Sequence, residues 1–379
     1  MSVQKVDYSF KMLYILGIIM IVDGHIGNFD YLNMHALFQY SDFHIGLFIF
    51  ASGYFLNLCR SYKNFFIIKI SKLIIPLYLW NLFYGILCWY LNNYQGFSIG
   101  EKFNIYNLLI APITDGHHYI YNMGGWFIIP LFAVQTISFL CLKPLARDTE
   151  STETNIPKWY LLMFFVFSLL LGMKALDLSE TNGGARNFNL ALLRSLYFLP
   201  VFVLGTLYRH ILQKYDRLGT PLQLSILALL TATLRYVYPY HLMIPSWLEH
   251  QGSNNIIHYV FTFTAILFYL RVAQALTPII KESRSLQYMA DHTFDIMMHH
   301  FIGFMFIKAA LQGFDGFDYY LYKTNIWYSY FPQQESYWAW LYIAITIVIA
   351  LLTGFTSRQI CARIKQFTSI KAFYSGGNK

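Results

Sequence analysis

Hydrophobic residues in this chain gather into long runs separated by short polar stretches. Ten runs stand out, near residues 10–27, 43–59, 73–93, 125–142, 158–176, 191–209, 221–237, 256–276, 288–310 and 337–357. Helical runs of roughly 17 to 25 apolar residues are long enough to cross a bilayer. The pattern predicts an all-α fold, a polytopic membrane bundle of about ten transmembrane helices, forming one domain over 1–379. The run 288–310 is the least apolar, because it holds Asp291, His292, Asp295, His299 and His300. Those interruptions place it in the bundle interior. The longest outer loop, 94–124, predicts a short interfacial helix over Ile105–Ile110 and then a polar turn over the bundle mouth, with Asp115, His117 and His118. The inner segment 143–157 reads as a plain linker. No internal repeat or low-complexity tract divides the chain.

Composition agrees with the pattern. The 379 residues are 56% hydrophobic and 12% charged, whereas soluble domains carry about 25% charged residues. Mean hydropathy is +0.42. An aromatic share of 19% suits many membrane–water boundaries. With the N-terminus placed in the cytoplasm, 20 of the 27 Lys and Arg residues fall in inner segments. That bias sets both termini inside, including the basic tail 358–379. The net charge of +8 is thus a matter of topology, and no nucleic-acid module is visible. Cys59, Cys88, Cys141 and Cys361 lack paired metal-ligand spacing, which predicts neither a disulfide framework nor a metal site. The first run has no small-residue cleavage site and reads as a retained helix.

Ionisable groups at membrane depth are costly and mark functional sites. His25 lies 14 residues beyond Lys11, about 21 Å along a helix, and so in the outer half of the bilayer. His44 and Asp42 open the second span from the same side, and Trp126, Arg194 and Tyr197 begin spans four and six there. Histidine titrates near ambient pH and can take a proton from an attacking hydroxyl. Asp23 and His25 are two apart and point to nearly opposite faces, so Asp42 or His44 is the better orienting partner. His299 and His300 diverge by about 100°, and at most one faces a given cavity. Each residue also has a structural reading: buried hydrogen bonding for the histidines, snorkelling for Arg194 and interfacial anchoring for Trp126. His117 and His118 read as solvated loop residues. On the inner side Arg60, Lys63, Lys69 and Lys72 form a cluster of four. The orientation rule accounts for it; a sharper reading is phosphate binding.

Six segments, in order, resemble the acyltransferase-3 family of multi-span membrane enzymes, in particular its sugar O-acetylase branch. They are Leu16-Gly-Ile-Ile-Met-Ile-Val-Asp-Gly-His25, Phe43-His-Ile-Gly-Leu-Phe-Ile-Phe-Ala-Ser-Gly-Tyr54, Lys69-Ile-Ser-Lys-Leu-Ile-Ile-Pro-Leu-Tyr-Leu-Trp80, Gly125-Trp-Phe-Ile-Ile-Pro-Leu-Phe132, Leu193-Arg-Ser-Leu-Tyr-Phe-Leu-Pro-Val-Phe-Val-Leu-Gly205 and Thr293-Phe-Asp-Ile-Met-Met-His-His300. They cover residues 10 to about 300. The resemblance implies O-acyl transfer from an acyl-CoA, most often acetyl-CoA, to a hydroxyl of a cell-surface or lipid-linked glycan. It implies His25 and His44 as catalytic residues, with His25 the general base. Asp42, Trp126, Arg194, Tyr197 and His300 would then bind substrate, and Arg60, Lys63, Lys69 and Lys72 the phosphates of coenzyme A. No metal and no nucleic acid are expected; membrane lipids surround the protein, and a bacterial cytoplasmic membrane is the expected location. Two positions depart from the family pattern: Tyr14 stands where a basic residue is common, and Gly46 where other branches carry an acidic one. The competing readings are a transporter of polysaccharide or lipid-linked sugar, suggested by Asp295 and His299 midway along a span, and a non-catalytic receptor or assembly factor.

Overall fold

The computed structural model describes residues 7–25, 38, 40–94, 101–114, 116, 119–148, 154–181, 188–216, 219–239, 242–251, 254–311 and 337–375. Asp115, His117, His118 and Arg217 therefore lie outside the described residues. The chain is a helical bundle, and the helices follow the predicted runs closely. Helix α1 spans Tyr8–Gly24, α2 His44–Tyr54, α3 Tyr62–Lys69 and α4 Ile75–Tyr94. A single π-turn, Ile70–Ile74, joins α3 to α4. After a four-residue α5 (Ala111–Thr114) come α6 Ile128–Leu142, α7 Lys158–Thr181, α8 Phe188–Leu207 and α9 Thr220–Val237. The set closes with α10 Asn255–Ala275, α11 Thr277–Glu282, α12 Arg284–Asp291, α13 Thr293–Leu311 and α14 Tyr337–Ser375. Among the described residues six helical stretches are long and apolar enough to cross a membrane, and His44–Tyr54 and Thr293–Ile307 are shorter apolar helices. This is a polytopic helical membrane protein. "Inner" below means the end bearing Lys11, Lys69 and Arg209.

Polar caps fix where the helices start. Asp7 accepts from the main-chain N–H groups of Ser9 and Phe10, Ser61 from Asn64, Asn254 from Ile256 and Ser283 from Leu286. Helix α2 stops at Tyr54, short of the predicted 43–59, and the Arg209 guanidinium there donates to the Tyr54 carbonyl. The predicted run 288–310 is two helices, because the chain leaves helical geometry at His292. Helix α12 buries Met289 and Ala290 and exposes Arg284, Tyr288 and Asp291. It is an amphipathic segment of the inner surface, not part of a span. The segment 143–157 also holds more than a linker: β1 (Arg147–Asp148) pairs antiparallel with β2 (Thr154–Asn155).

The bundle is drawn together by small residues and by ion pairs at its inner end. Gly53 of α2 and Gly205 of α8 let the two backbones touch, as small residues do where membrane helices cross. Pro200 deprives the preceding turn of α8 of a donor, and the Tyr259 hydroxyl of α10 donates to the Tyr197 carbonyl in that turn (2.9 Å). Lys11 pairs with Asp291 at 2.7 Å, Arg271 with Asp216, and Arg358 of α14 with Asp295 of α13.

The predicted outer loop departs most from expectation. Its second half does not lie over the bundle mouth but descends beside α4. The Tyr78 hydroxyl donates to the Leu109 carbonyl (2.8 Å), and Asn81 Nδ2 donates to the carbonyls of Asn107 (3.1 Å) and Leu108 (2.8 Å). Asn122 Nδ2 in turn donates to Asn81 Oδ1 at 3.0 Å. Tyr78 lies 16 residues before Tyr94, about 24 Å down the axis, so the described residues 103–114 and 119–127 reach well into the bundle. They do so as a π-turn (Tyr106–Ile110) and a 3-10 helix (Ile120–Phe127). Backbone of this kind is tolerated at membrane depth only where protein satisfies it; the Tyr78 and Asn81 donors do so here. Ile105, Leu109, Ile110 and Ile113 are exposed and form the outward, lipid-compatible face. Asn81→Leu removes two donated bonds and strands Asn122, at an expected cost of about 2–3 kcal/mol. Heating the detergent-solubilised variant and wild type in parallel, and measuring the monodisperse fraction, checks this: the variant should fail several degrees earlier.

Candidate functional site

The outer end of α1 sets His25 against α13. His25 caps α1, with its main-chain N–H donating to the carbonyls of Val22 and Asp23, and its side chain is exposed. Its ring lies 5.3 Å from that of His300, nearly parallel at 23°, and 4.9 Å from Phe301. Asp23 is fully buried. His300 itself is fully buried. Its Nδ1 faces only carbonyl oxygens, Met297 at 2.8 Å and Ile296 at 3.1 Å. Carbonyls cannot donate, so Nδ1 carries the proton and Nε2 is left as a bare acceptor nitrogen. Among the described residues that Nε2 has no hydrogen-bond partner. One exposed imidazole thus rests on a second whose tautomer the helix backbone fixes.

The re-entrant segment closes over this pair. A Cβ at Gly124 would lie 2.3 Å from the Met297 carbonyl and 3.5 Å from His300 Cε1, so only glycine lets the segment approach. His299 turns the other way, as the 100° offset requires. It hydrogen-bonds the Tyr84 hydroxyl through Nδ1 at 2.6 Å, with the Trp80 ring edge-on at 4.1 Å. Asp295 is held by Arg358. The two polar groups that suggested a permeation path are therefore each engaged within the bundle, Asp295 near its inner end.

Three of the predicted outer residues share a different task. Asp42 is buried and accepts from the main-chain N–H of Met243 at 3.1 Å, while its carbonyl accepts from Thr262 at 2.9 Å. Arg194 does not snorkel: it is buried, donates to the Ser246 carbonyl, and lies 4.8 Å over the Trp126 ring. Trp126 is buried as well, stacked on Phe198, and is no interfacial anchor. Met243 and Ser246 belong to an outer hairpin, β3 (Leu242–Ile244) paired with β4 (Glu249–Gln251), which Ser179 also ties down through the Leu248 carbonyl. Asp42 and Arg194 thus pin this hairpin over the outer ends of α8 and α10. Tyr197 is buried against Tyr259, and His44 is half-buried in the first turn of α2.

Below the histidine pair lies a cavity of about 260 Å³. Its walls are Tyr14, Phe48, Phe55, Phe127, Ile128, Leu131, Phe294 and Met297, with Ser52, Lys69 and Thr293 toward the inner end. Lys69 sits half-buried near the Phe65 ring, with Arg60 and Lys72 in electrostatic reach; Lys63 and Lys72 are exposed. Of the four predicted cations, then, Lys69 is the one that lines the cavity.

The family model described as "Acyltransferase domain", the acyltransferase-3 family, matches residues 7–355. The chain belongs to this family. It is a membrane acyltransferase, and the match covers every element described above except the end of α14. No curated protein and no solved structure matches the chain. The two departures from the acyltransferase-3 pattern have distinct settings. Gly46 faces α8 and α10, where a Cβ would fall 3.1 Å from Ile266 Cδ1 and 3.6 Å from Thr262 Cγ2 and Val201 Cγ1, leaving little room for a larger side chain. Tyr14 lines the cavity and stacks on Phe48 (5.6 Å, 16°). The sequence reading passed over Tyr84 and Asn81. Neither carries a local signal, since tyrosine and asparagine in an apolar helix are unremarked until their partners are known.

Proposed function

We propose that this acyltransferase moves an acetyl group from acetyl-CoA, taken up on the cytoplasmic side, to a hydroxyl of a cell-surface or lipid-linked glycan. The observation that carries this reading is the exposed His25 ring resting on His300, whose Nε2 is bare. A base must reach its proton and have a pKa near ambient pH. The exposed His25 ring can be reached by an acceptor arriving from outside, and His44 is the second histidine offered on that side. The acceptor oxygen forms a bond to the thioester carbonyl carbon as its proton passes to His25. The carbon–sulfur bond then breaks, and the departing thiolate takes that proton to leave as the free thiol of coenzyme A. His300 supports the charge that His25 gains. Lys69, on the inner side, lines the cavity, which suits a donor entering from the opposite compartment.

Glycan mass spectrometry on cells with and without the protein tests the reading, with the expected result an added 42-dalton class of ester mass (roughly, for acetyl) that His25→Ala at equal protein level removes. General-base loss costs about 10²–10⁴ in rate, so residual ester should be near background. Undiminished ester in the His25→Ala cells sinks the mechanism.

A further inference from the structure

Helix α13 is buried on every side at the level of the histidine pair. Residues 296–304 are buried without a break, and apart from His299 and His300 they are apolar or glycine. Apolar contact is non-directional, so it does little to choose the rotation of such a helix about its axis. That rotation decides the site. A ring about 6 Å from the axis, the outer radius of a helix, moves by roughly 1 Å for a turn of about 10°. The His25 and His300 rings are 5.3 Å apart, so a shift of that size separates or crowds them. His300 cannot fix the rotation itself. Its Nδ1 bonds the carbonyls of Ile296 and Met297, which holds the ring to α13 but not α13 to its neighbours. Two glycine contacts, Gly124 on the Met297 carbonyl and Gly303 on Thr346, set how near those neighbours lie.

A directional tie at this level comes from the other histidine. His299 Nδ1 meets the Tyr84 hydroxyl of α4 at 2.6 Å, and both residues are fully buried. Trp80, one turn before Tyr84, sets its ring 4.1 Å from the His299 ring at 73°. Among the described residues His299 Nε2 has no hydrogen-bond partner, so the Tyr84 hydroxyl and the Trp80 ring hold this side chain. The pair is shut off from water, and breaking its bond would strand a buried polar group. Asp295, tied to Arg358 of α14, lies one turn nearer the inner end. Tyr84 also lies 6.2 Å from the Tyr121 ring of the segment that carries Gly124, so α4 registers both structures that flank His300. We infer that Tyr84 is a positioning residue for the transfer step: through His299 its hydroxyl sets the rotation of α13 that aims His300 at His25. This assignment rests on the reading of the histidine pair given above and adds what orients it.

Initial rates of label transfer from labelled acetyl-CoA, by membranes carrying equal amounts of the folded full chain, test it. Tyr84→Phe keeps the ring beside Tyr121 and should lower kcat about tenfold, the factor of one buried hydrogen bond, with KM for acetyl-CoA unchanged. A loss of that form belongs to the transfer step and not to donor binding. His299→Leu should match Tyr84→Phe. His299→Asn, whose amide can stand where Nδ1 stands, should keep most of the wild-type rate. In a His300→Gln background Tyr84→Phe should slow transfer no further, because both act through one ring. If Tyr84→Phe matches wild type, raises KM alone, or costs the same factor in both backgrounds, Tyr84 is a packing residue and the assignment is overturned while the reading of His300 stands. A His299→Asn rate as low as that of His299→Leu also overturns it, since the imidazole itself would then be required. A His300→Gln rate like wild type, or a wild type that transfers no label, removes the reading of the histidine pair and this inference together.

Discussion

Replacing His300 with glutamine should slow acyl transfer by about a thousandfold and leave the folded yield unchanged. Glutamine can place its amide N–H groups near the carbonyls of Ile296 and Met297, which now hold Nδ1. The anchor survives, but a primary amide has no basic nitrogen to replace Nε2. A buried imidazole with a fixed tautomer is worth its rate only through that nitrogen, and losses of 10²–10⁴ are usual for a positioned base or its immediate support. On the proposed mechanism the two rings, 5.3 Å apart, serve one step, so the double variant His25→Ala with His300→Gln should be no slower than the worse single one. Initial rates of acetyl-CoA consumption by membranes carrying equal amounts of each variant decide the matter. A His300→Gln rate within a few-fold of wild type would make His300 a packing residue. Additive losses would mean that the two rings work at separate steps.

The bundle was legible because hydropathy reports lipid contact directly. Long apolar runs became helices. His25 was legible for the opposite reason, as an ionisable group where few are tolerated. Its partner was harder to see. His300 is 275 residues away, and which of two adjacent histidines meets α1 depends on how α13 is rotated about its axis. The short helix over Ile105–Ile110 was legible from the same cue, but its placement beside α4 was not. Ile105, Leu109 and Ile110 are as apolar as a surface helix requires, but the groups that draw the segment inward are Tyr78, Asn81 and Asn122. Hydropathy has no term for a carbonyl waiting on a side-chain donor. Asp42 and Arg194 were found as outer polar residues; that they grip the hairpin over 242–251 depends on long-range placement that no spacing shows.

Substituting valine at Gly53 should remove most of the folded protein. A Cβ at that position would sit 1.9 Å from the Phe202 carbonyl oxygen, and the reciprocal site, Gly205, would place one 2.0 Å from the Phe50 carbonyl oxygen. Neither neighbour is the tip of a flexible side chain. Both are main-chain atoms inside continuous helices, so relief requires α2 and α8 to move apart along their length. Overpacking in a tight core costs about 1–3 kcal/mol when side chains can yield. Against two rigid backbones the cost should reach at least the top of that range, about 3 kcal/mol, which is more than a hundredfold in the ratio of folded to unfolded chains. Fluorescence-detected size exclusion of detergent extracts measures it, with Gly219→Ala as the control, because a Cβ there meets nothing within 4 Å. Gly219→Ala should elute like wild type and Gly53→Val in the void, with Gly53→Ala and Gly205→Ala between them. The crossing also sets function, since α2 begins with His44 and α8 carries Arg194 under the outer hairpin. Any Gly53→Ala protein that does fold should transfer acyl groups more slowly than its yield alone explains.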